Sequence, residues 1–165
     1  MRWIWLDRIL TLDPGKSLVA LKNISAAEDV IHDAVPAVPH MPHTLIIEGM
    51  AQAAGILVGH TGHFREKVIL AKITRAQFEP LVPGPGTALR HTATLDRFDP
   101  SGAATTGTVD LLDPATGSAQ PFARIQLMFS HIDQNRAGLE FPDHNFVFTD
   151  QFMGLLERSG IPTPN

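Results

Sequence analysis

The sequence contains no cysteine, which excludes disulfide staples, thiolate nucleophiles and cysteine-held metal. It also lacks a basic cluster: 13 Lys and Arg against 17 Asp and Glu leave a formal charge of −4 and a pI near 6.0. A nucleic-acid surface is therefore not expected. Long apolar runs are missing as well, since the most hydrophobic stretch, residues 45–59, falls short of the roughly 20 residues of a membrane span and is interrupted by Glu48 and Gln52. The opening MRWIWLDRIL has too short an apolar run, with an acid at Asp7, to read as a secretory signal. Cytoplasmic location is the expectation. No internal repeat is visible, and the 13 Pro and 13 Gly mostly separate periodic segments.

What is present is organised around residues 40–60, HMPHTLIIEGMAQAAGILVGH. Leu45, Ile46, Ile47, Met50, Ile56, Leu57 and Val58 are spread around the whole circumference of a helix, and Gly49, Ala51, Ala53, Ala54 and Gly55 allow close backbone approach. Such a helix is buried on most sides. With Thr44 as N-cap the spacing predicts a start near Leu45. Glu48 and Gln52 lie four apart and share one face, which in a water-poor setting lines a cavity or an interface. Glu48 is the leading candidate for a functional carboxylate.

The flanking segments read as strands. Residues 3–12 and 17–24 are β-prone runs joined by Asp13-Pro14-Gly15-Lys16, a hairpin signal. Four more runs follow the helix, at 68–78, 87–98, 103–113 and 120–132, connected by LVPGPG, DPSG and DPATGS, which are expected to turn between antiparallel neighbours. Two strands, one long buried helix and four strands make an α+β sheet curled around a helix over residues 1–132. The tail, 133–165, carries a short amphipathic helix with Thr149 as N-cap, Phe152, Leu155 and Leu156 on one face, and Gly160 as stop. It is assigned no chemistry.

Between the hairpin and the central helix, Pro36, Pro39 and Pro42 disfavour regular structure, so residues 26–43 form a rigid loop. His32, His40 and His43 lie in it, a density that suits acid–base work near neutral pH. A zinc site from His40, His43 and Glu48 has no defined helical face and no clear third ligand, so neither metal nor other cofactor is expected. His60 and His63 fall at the helix C-terminus, where its dipole favours a cation.

The strand pair, a Pro-rich loop ending in Met41-Pro42, the helix LIIEGMAQ and a later PLVPG together resemble the hot-dog-fold 3-hydroxyacyl-[acyl-carrier-protein] dehydratases of fatty acid synthesis. The match to that family's Leu-Ile-x-Glu-x-x-Ala-Gln helix is residue for residue at Leu45, Ile46, Glu48, Ala51 and Gln52. The resemblance implies removal of water from a 3-hydroxyacyl thioester, a carboxylate at Glu48 that helps the hydroxyl leave, and an acyl site touching Ala34, Ala37, Met41, Pro42 and Gln52. It further implies acyl carrier protein or an acyl thioester as partner, and a homodimer with the acyl channel at the subunit boundary. The chain departs from the family at the catalytic histidine, where alignment on Met41-Pro42 places Ala34. Alanine takes no proton, so a base has to come from His32 or His43. Two further readings stay open: a non-catalytic acyl-binding subunit beside an active paralogue, and an acyl thioesterase in which Glu48 activates water.

Overall fold

A computed structural model describes residues 3–33, 38–132 and 147–163. Six strands form one antiparallel sheet: β1 (Arg8–Asp13), β2 (Ser17–Asn23), β3 (Lys67–Phe78), β4 (Ala88–Asp99), β5 (Gly102–Asp113) and β6 (Ser118–Ile132). Their spatial order is β1-β2-β4-β5-β6-β3. Three helices complete the chain: the single turn α1 (Val30–Asp33), the central α2 (His43–Thr61) and α3 (Asp150–Arg158). The architecture is a hot-dog fold, a sheet wrapped around one long helix with a short C-terminal helix.

The sheet curls because its ladders are broken at intervals. Register shifts between Leu70 and Lys72, Ile73 and Arg75, and Leu95 and Arg97 add local twist and bend the strands around the helix. α2 touches β2, β3, β4, β5 and β6. Ile46, Met50, Ala53, Ala54, Ile56, Leu57 and Val58 are all buried on it, as a helix apolar on every side requires.

Several local expectations are corrected. α2 begins at His43, with Pro42 in the N-cap position and no side-chain cap, so Thr44 does not cap it. The Pro42 carbonyl accepts from the N–H groups of Leu45 at 3.0 Å and Ile46 at 3.2 Å, which closes the first turn without a hydroxyl. The first ladder starts at Arg8 rather than at Trp3, and the Trp3 carbonyl and Trp5 N–H bond the Gln52 side chain instead of a strand. LVPGPG does not join sheet neighbours, because β3 pairs only with β6 while β4 pairs with β2 and β5. It is a crossover that braces the approach to α2: the Pro83 carbonyl accepts from Met41 N–H at 2.9 Å, and Gly86 N–H donates to Ile24 O at 3.0 Å. The loop after β2 also holds one regular turn, α1. Thr149 does precede α3, but its hydroxyl makes no cap bond.

The two edges of the sheet differ. α3 packs on β1, and Ser159 Oγ accepts the Ile9 N–H at 2.9 Å, so a chain segment covers that edge. Among the described residues β3 has a ladder partner on one side only, and residues 71–77 are exposed in succession on both of its faces.

Candidate functional site

The site is built on Gln52. Its Nε2 donates to Glu48 Oε1 at 2.9 Å and to the Trp3 carbonyl at 2.8 Å, and its Oε1 accepts from Trp5 N–H at 2.8 Å. One buried amide thus replaces a strand partner for residues 3–5 and fixes the carboxylate one turn earlier on α2. Gln52 is an expected substrate-binding residue, yet both its donors are spent within the chain.

Beside this pair lies a cavity of about 660 Å³. Glu48, Ala51, Gln52, Gly55 and Ile56 supply its α2 side, and Val68, Leu70 and Phe129 its sheet side. Trp3 and Ile4 border it at one margin, and residues 147–152 at another. Its size and mostly apolar walls with a polar pair at one place are those of a small-molecule site. Glu48 is partly buried at this margin, so the carboxylate faces the cavity rather than bulk water alone.

The two candidate bases sit elsewhere in the chain. His43 lies flat on Phe78, with ring centroids 4.1 Å apart and planes 2° from parallel, and edge-on to Phe122 at 5.8 Å. Its pKa is lowered, first by burial against these rings and then by His40, not chiefly by the helix end. His32 is exposed on α1, with Nε2 3.1 Å from the Ala26 carbonyl. Neither borders the cavity, and no histidine among the described residues does. Met41 is buried in the core and Pro42 is the N-cap of α2; neither lines the cavity. Ala34 and Ala37 lie outside the described residues. Among the described residues no group of three His, Asp or Glu could hold a metal ion.

Two features escape a reading of the sequence. The first is residues 147–152, which enter the cavity wall through packing over a long separation that no local pattern signals. The second is His91 on β4, 1 % exposed, whose Nε2 would stand 3.0 Å from a Cβ on Gly49. Among the described residues neither of its ring nitrogens makes a well-aligned hydrogen bond, although the backbone of Ile46 and Leu89 approaches them. Burial pushes its pKa down to about 4, against a smaller opposing pull from the backbone of Ile46 and Leu89. In the strand pattern it reads as one more alternating residue. His60, expected as a favoured cation, has a lowered pKa as well, because burial and the neighbouring His63 prevail over the helix dipole.

With this geometry in hand, the comparisons with known proteins are specific. A family model described as a FabA-like domain matches residues 3–104. The 3-hydroxyacyl-[acyl-carrier-protein] dehydratase FabZ of Symbiobacterium thermophilum is 40% identical over 84 residues, which cover 50% of this chain and 59% of the relative. FabZ of Rickettsia rickettsii is 37% identical over 97 residues, 58% of this chain and 66% of the relative. The chain therefore spans about three fifths to two thirds of the length of these curated relatives. Among solved structures, a thioesterase family protein from Silicibacter pomeroyi superposes with a TM-score of 0.61 at 14% identity, covering 76% of this chain and 83% of the other. The dehydratase heterocomplex ApeI:P from Xenorhabdus doucetiae gives 0.57 at 19% identity, covering 81% and 85%. Both share the fold. No helix of the described residues is long and apolar enough to cross a membrane.

Proposed function

Because the chain belongs to the FabA-like domain family, we propose that it is a dehydratase-like protein of fatty acid or related lipid synthesis that binds a 3-hydroxyacyl thioester. The observation that carries the reading is the Glu48 carboxylate, held by Gln52 at the margin of an apolar cavity of about 660 Å³. In the reaction a base removes a proton from C2 of the acyl group, and the C2–H electron pair becomes the C2–C3 double bond. The C3 hydroxyl then departs as water with a proton given by Glu48 in its acid form, which is left as the carboxylate until the proton taken by the base returns to it. The apolar walls take the acyl tail. Acyl carrier protein, or a free acyl thioester, is the proposed partner.

Among the described residues no histidine borders the cavity, so a base from a second copy is one route to Glu48. β3 has, among the described residues, an unpaired edge, with Ile73 46% exposed on it, and edge-to-edge pairing of two copies would join two sheets into a homodimer. Both candidates are exposed; His43 is stacked on Phe78, which leaves His32 the freer of the two to meet a partner's carboxylate.

A specific observation favours a second reading, an acyl-binding subunit without turnover beside an active paralogue. No histidine among the described residues borders the cavity, and the resemblance, aligned on Met41-Pro42, implies Ala34 at the family's histidine position. One experiment separates the two. The purified protein is given a 3-hydroxyacyl thioester while enoyl absorbance and free thiol are followed. Enoyl formation that falls about 10²–10⁴-fold in Glu48→Gln supports the dehydratase. Binding with no turnover supports the subunit, and release of free thiol instead would overturn both in favour of hydrolysis.

A further inference from the structure

The α2 wall of the cavity stops one turn short of Gly59. Along α2 its lining residues fall on successive turns: Glu48, then Ala51 and Gln52, then Gly55 and Ile56. The next position in that series is Gly59, and it does not line the cavity because Phe148 occupies its place. A Cβ on Gly59 would stand 2.3 Å from Phe148 Cζ and 2.8 Å from Cε2, so the ring lies directly on the bare backbone. Any side chain at position 59 would force that ring to move.

Phe148 is itself held firmly. It is 7% exposed, meets Phe64 edge-to-face with centroids 4.9 Å apart, and packs near Phe152 at 6.3 Å. Along the helix axis Gly55 lies about 10 Å beyond Glu48, and Gly59, where the Phe148 ring sits, about 16 Å beyond it. Between these points the helix presents, apart from the Gln52 amide, only small or apolar groups to the cavity. A Cβ on Gly55 would find nothing nearer than Phe129 Cε1 at 3.8 Å, which makes this the open part of the trough. The polar residues of the α3 side, at 149–151, are exposed and form the outer rim rather than the end.

We propose that Phe148 is the floor of the acyl site and sets the longest linear chain the cavity accepts, with the thioester end at Glu48 and the tail along Ala51 and Gly55. The assignment rests on the acyl-thioester reading above. It gives the C-terminal segment a role in choosing substrate, with no part in the proton transfers.

The test uses saturated acyl amides of pantetheine, from butanoyl to hexadecanoyl in steps of two carbons. The amide resists hydrolysis and a saturated chain cannot be dehydrated, so affinity alone is read, by titration calorimetry on the full chain. Each methylene that finds room should strengthen binding about fourfold, up to a length beyond which wild-type affinity falls. Phe148→Ala should move that optimum to longer chains by at least one two-carbon step. Gly55→Val, which narrows the trough a turn before the ring, should move it to shorter ones and decides the matter if the alanine variant does not fold. Wild-type affinity that keeps rising through hexadecanoyl, or folded variants whose optimum stays with the wild type, would overturn the floor while leaving the acyl reading intact. Failure of every amide to bind the wild type would remove the acyl reading and the floor together.

Discussion

Gln52 and Glu48 are joined by a 2.9 Å hydrogen bond from the amide nitrogen to the carboxylate, and the same amide also binds the backbone at Trp3 and Trp5. The orientation of the carboxylate and the anchoring of the first residues therefore depend on one side chain. Gln52→Leu keeps roughly the volume but leaves the half-buried Trp5 N–H and the Trp3 carbonyl without their partner, at a cost of about 1–2 kcal/mol. Chemical denaturation should show a lower midpoint. Any turnover should fall further than the stability loss accounts for, because Glu48 loses its fixed position. Gln52→Glu should be worse still, since it sets a second carboxylate against Glu48 and against a carbonyl oxygen.

His91 makes folding sensitive to acid. Its folded pKa is lowered from 6.5 to about 4 by burial, so the folded protein holds the ring neutral while the unfolded chain accepts a proton. Between those two values the unfolded state binds more protons, and stability falls as the pH falls; above the upper value this contribution is constant. The loss across the window is about 3 kcal/mol. Urea denaturation at pH 7, 5.5 and 4.5 should show the decline, and His91→Leu should flatten it. An equal slope in the variant would mean that other groups carry the acid sensitivity.

The turn between β4 and β5 depends on Gly102. Its φ of +156° lies where side chains are strained, and a Cβ there would stand 2.0 Å from the Phe129 carbonyl oxygen on β6. Backbone on the neighbouring strand cannot give way as a flexible side chain could. Gly102→Ala should cost at least about 2 kcal/mol, read as a drop in melting temperature. At Gly107 a Cβ would meet the Met50 thioether at 2.3 Å. That group is the far end of a flexible side chain, so Gly107→Ala should cost less than Gly102→Ala.

If β3 pairs with a second copy, its exposed centre is where association can be blocked. Ile73→Lys places a charge at a position 46% exposed in the single chain, which should shift the protein towards monomer in light scattering with little change in its circular dichroism. Unchanged mass in the variant would remove β3 as the contact.

Much of the fold was legible because it is written in local patterns. Residues 45–58 are apolar on all sides of a helical wheel, and only a sheet wrapped round that helix could cover them. Asp13-Pro14-Gly15-Lys16, DPSG and DPATGS carry their own turn chemistry and each joins strands that pair. The Glu48–Gln52 pair was visible as two polar residues four apart on that wheel, and the structure joins them. LVPGPG has the same composition as the hairpin turns yet crosses between strands that do not pair. Proline and glycine specify a break in regular structure but not the partner of the next strand.

The sequence by itself determined a buried helix, its carboxylate and amide, and six strands to enclose them, because each of these depends on residues within a turn or two of one another. Tertiary structure alone decided that Gln52 would hold Trp3 and Trp5, that His91 would be sealed beside Gly49, and that Phe148 would settle on Gly59. Those contacts join positions 42 to 89 residues apart, where no periodicity reaches and only the packing of the finished sheet chooses which surfaces meet.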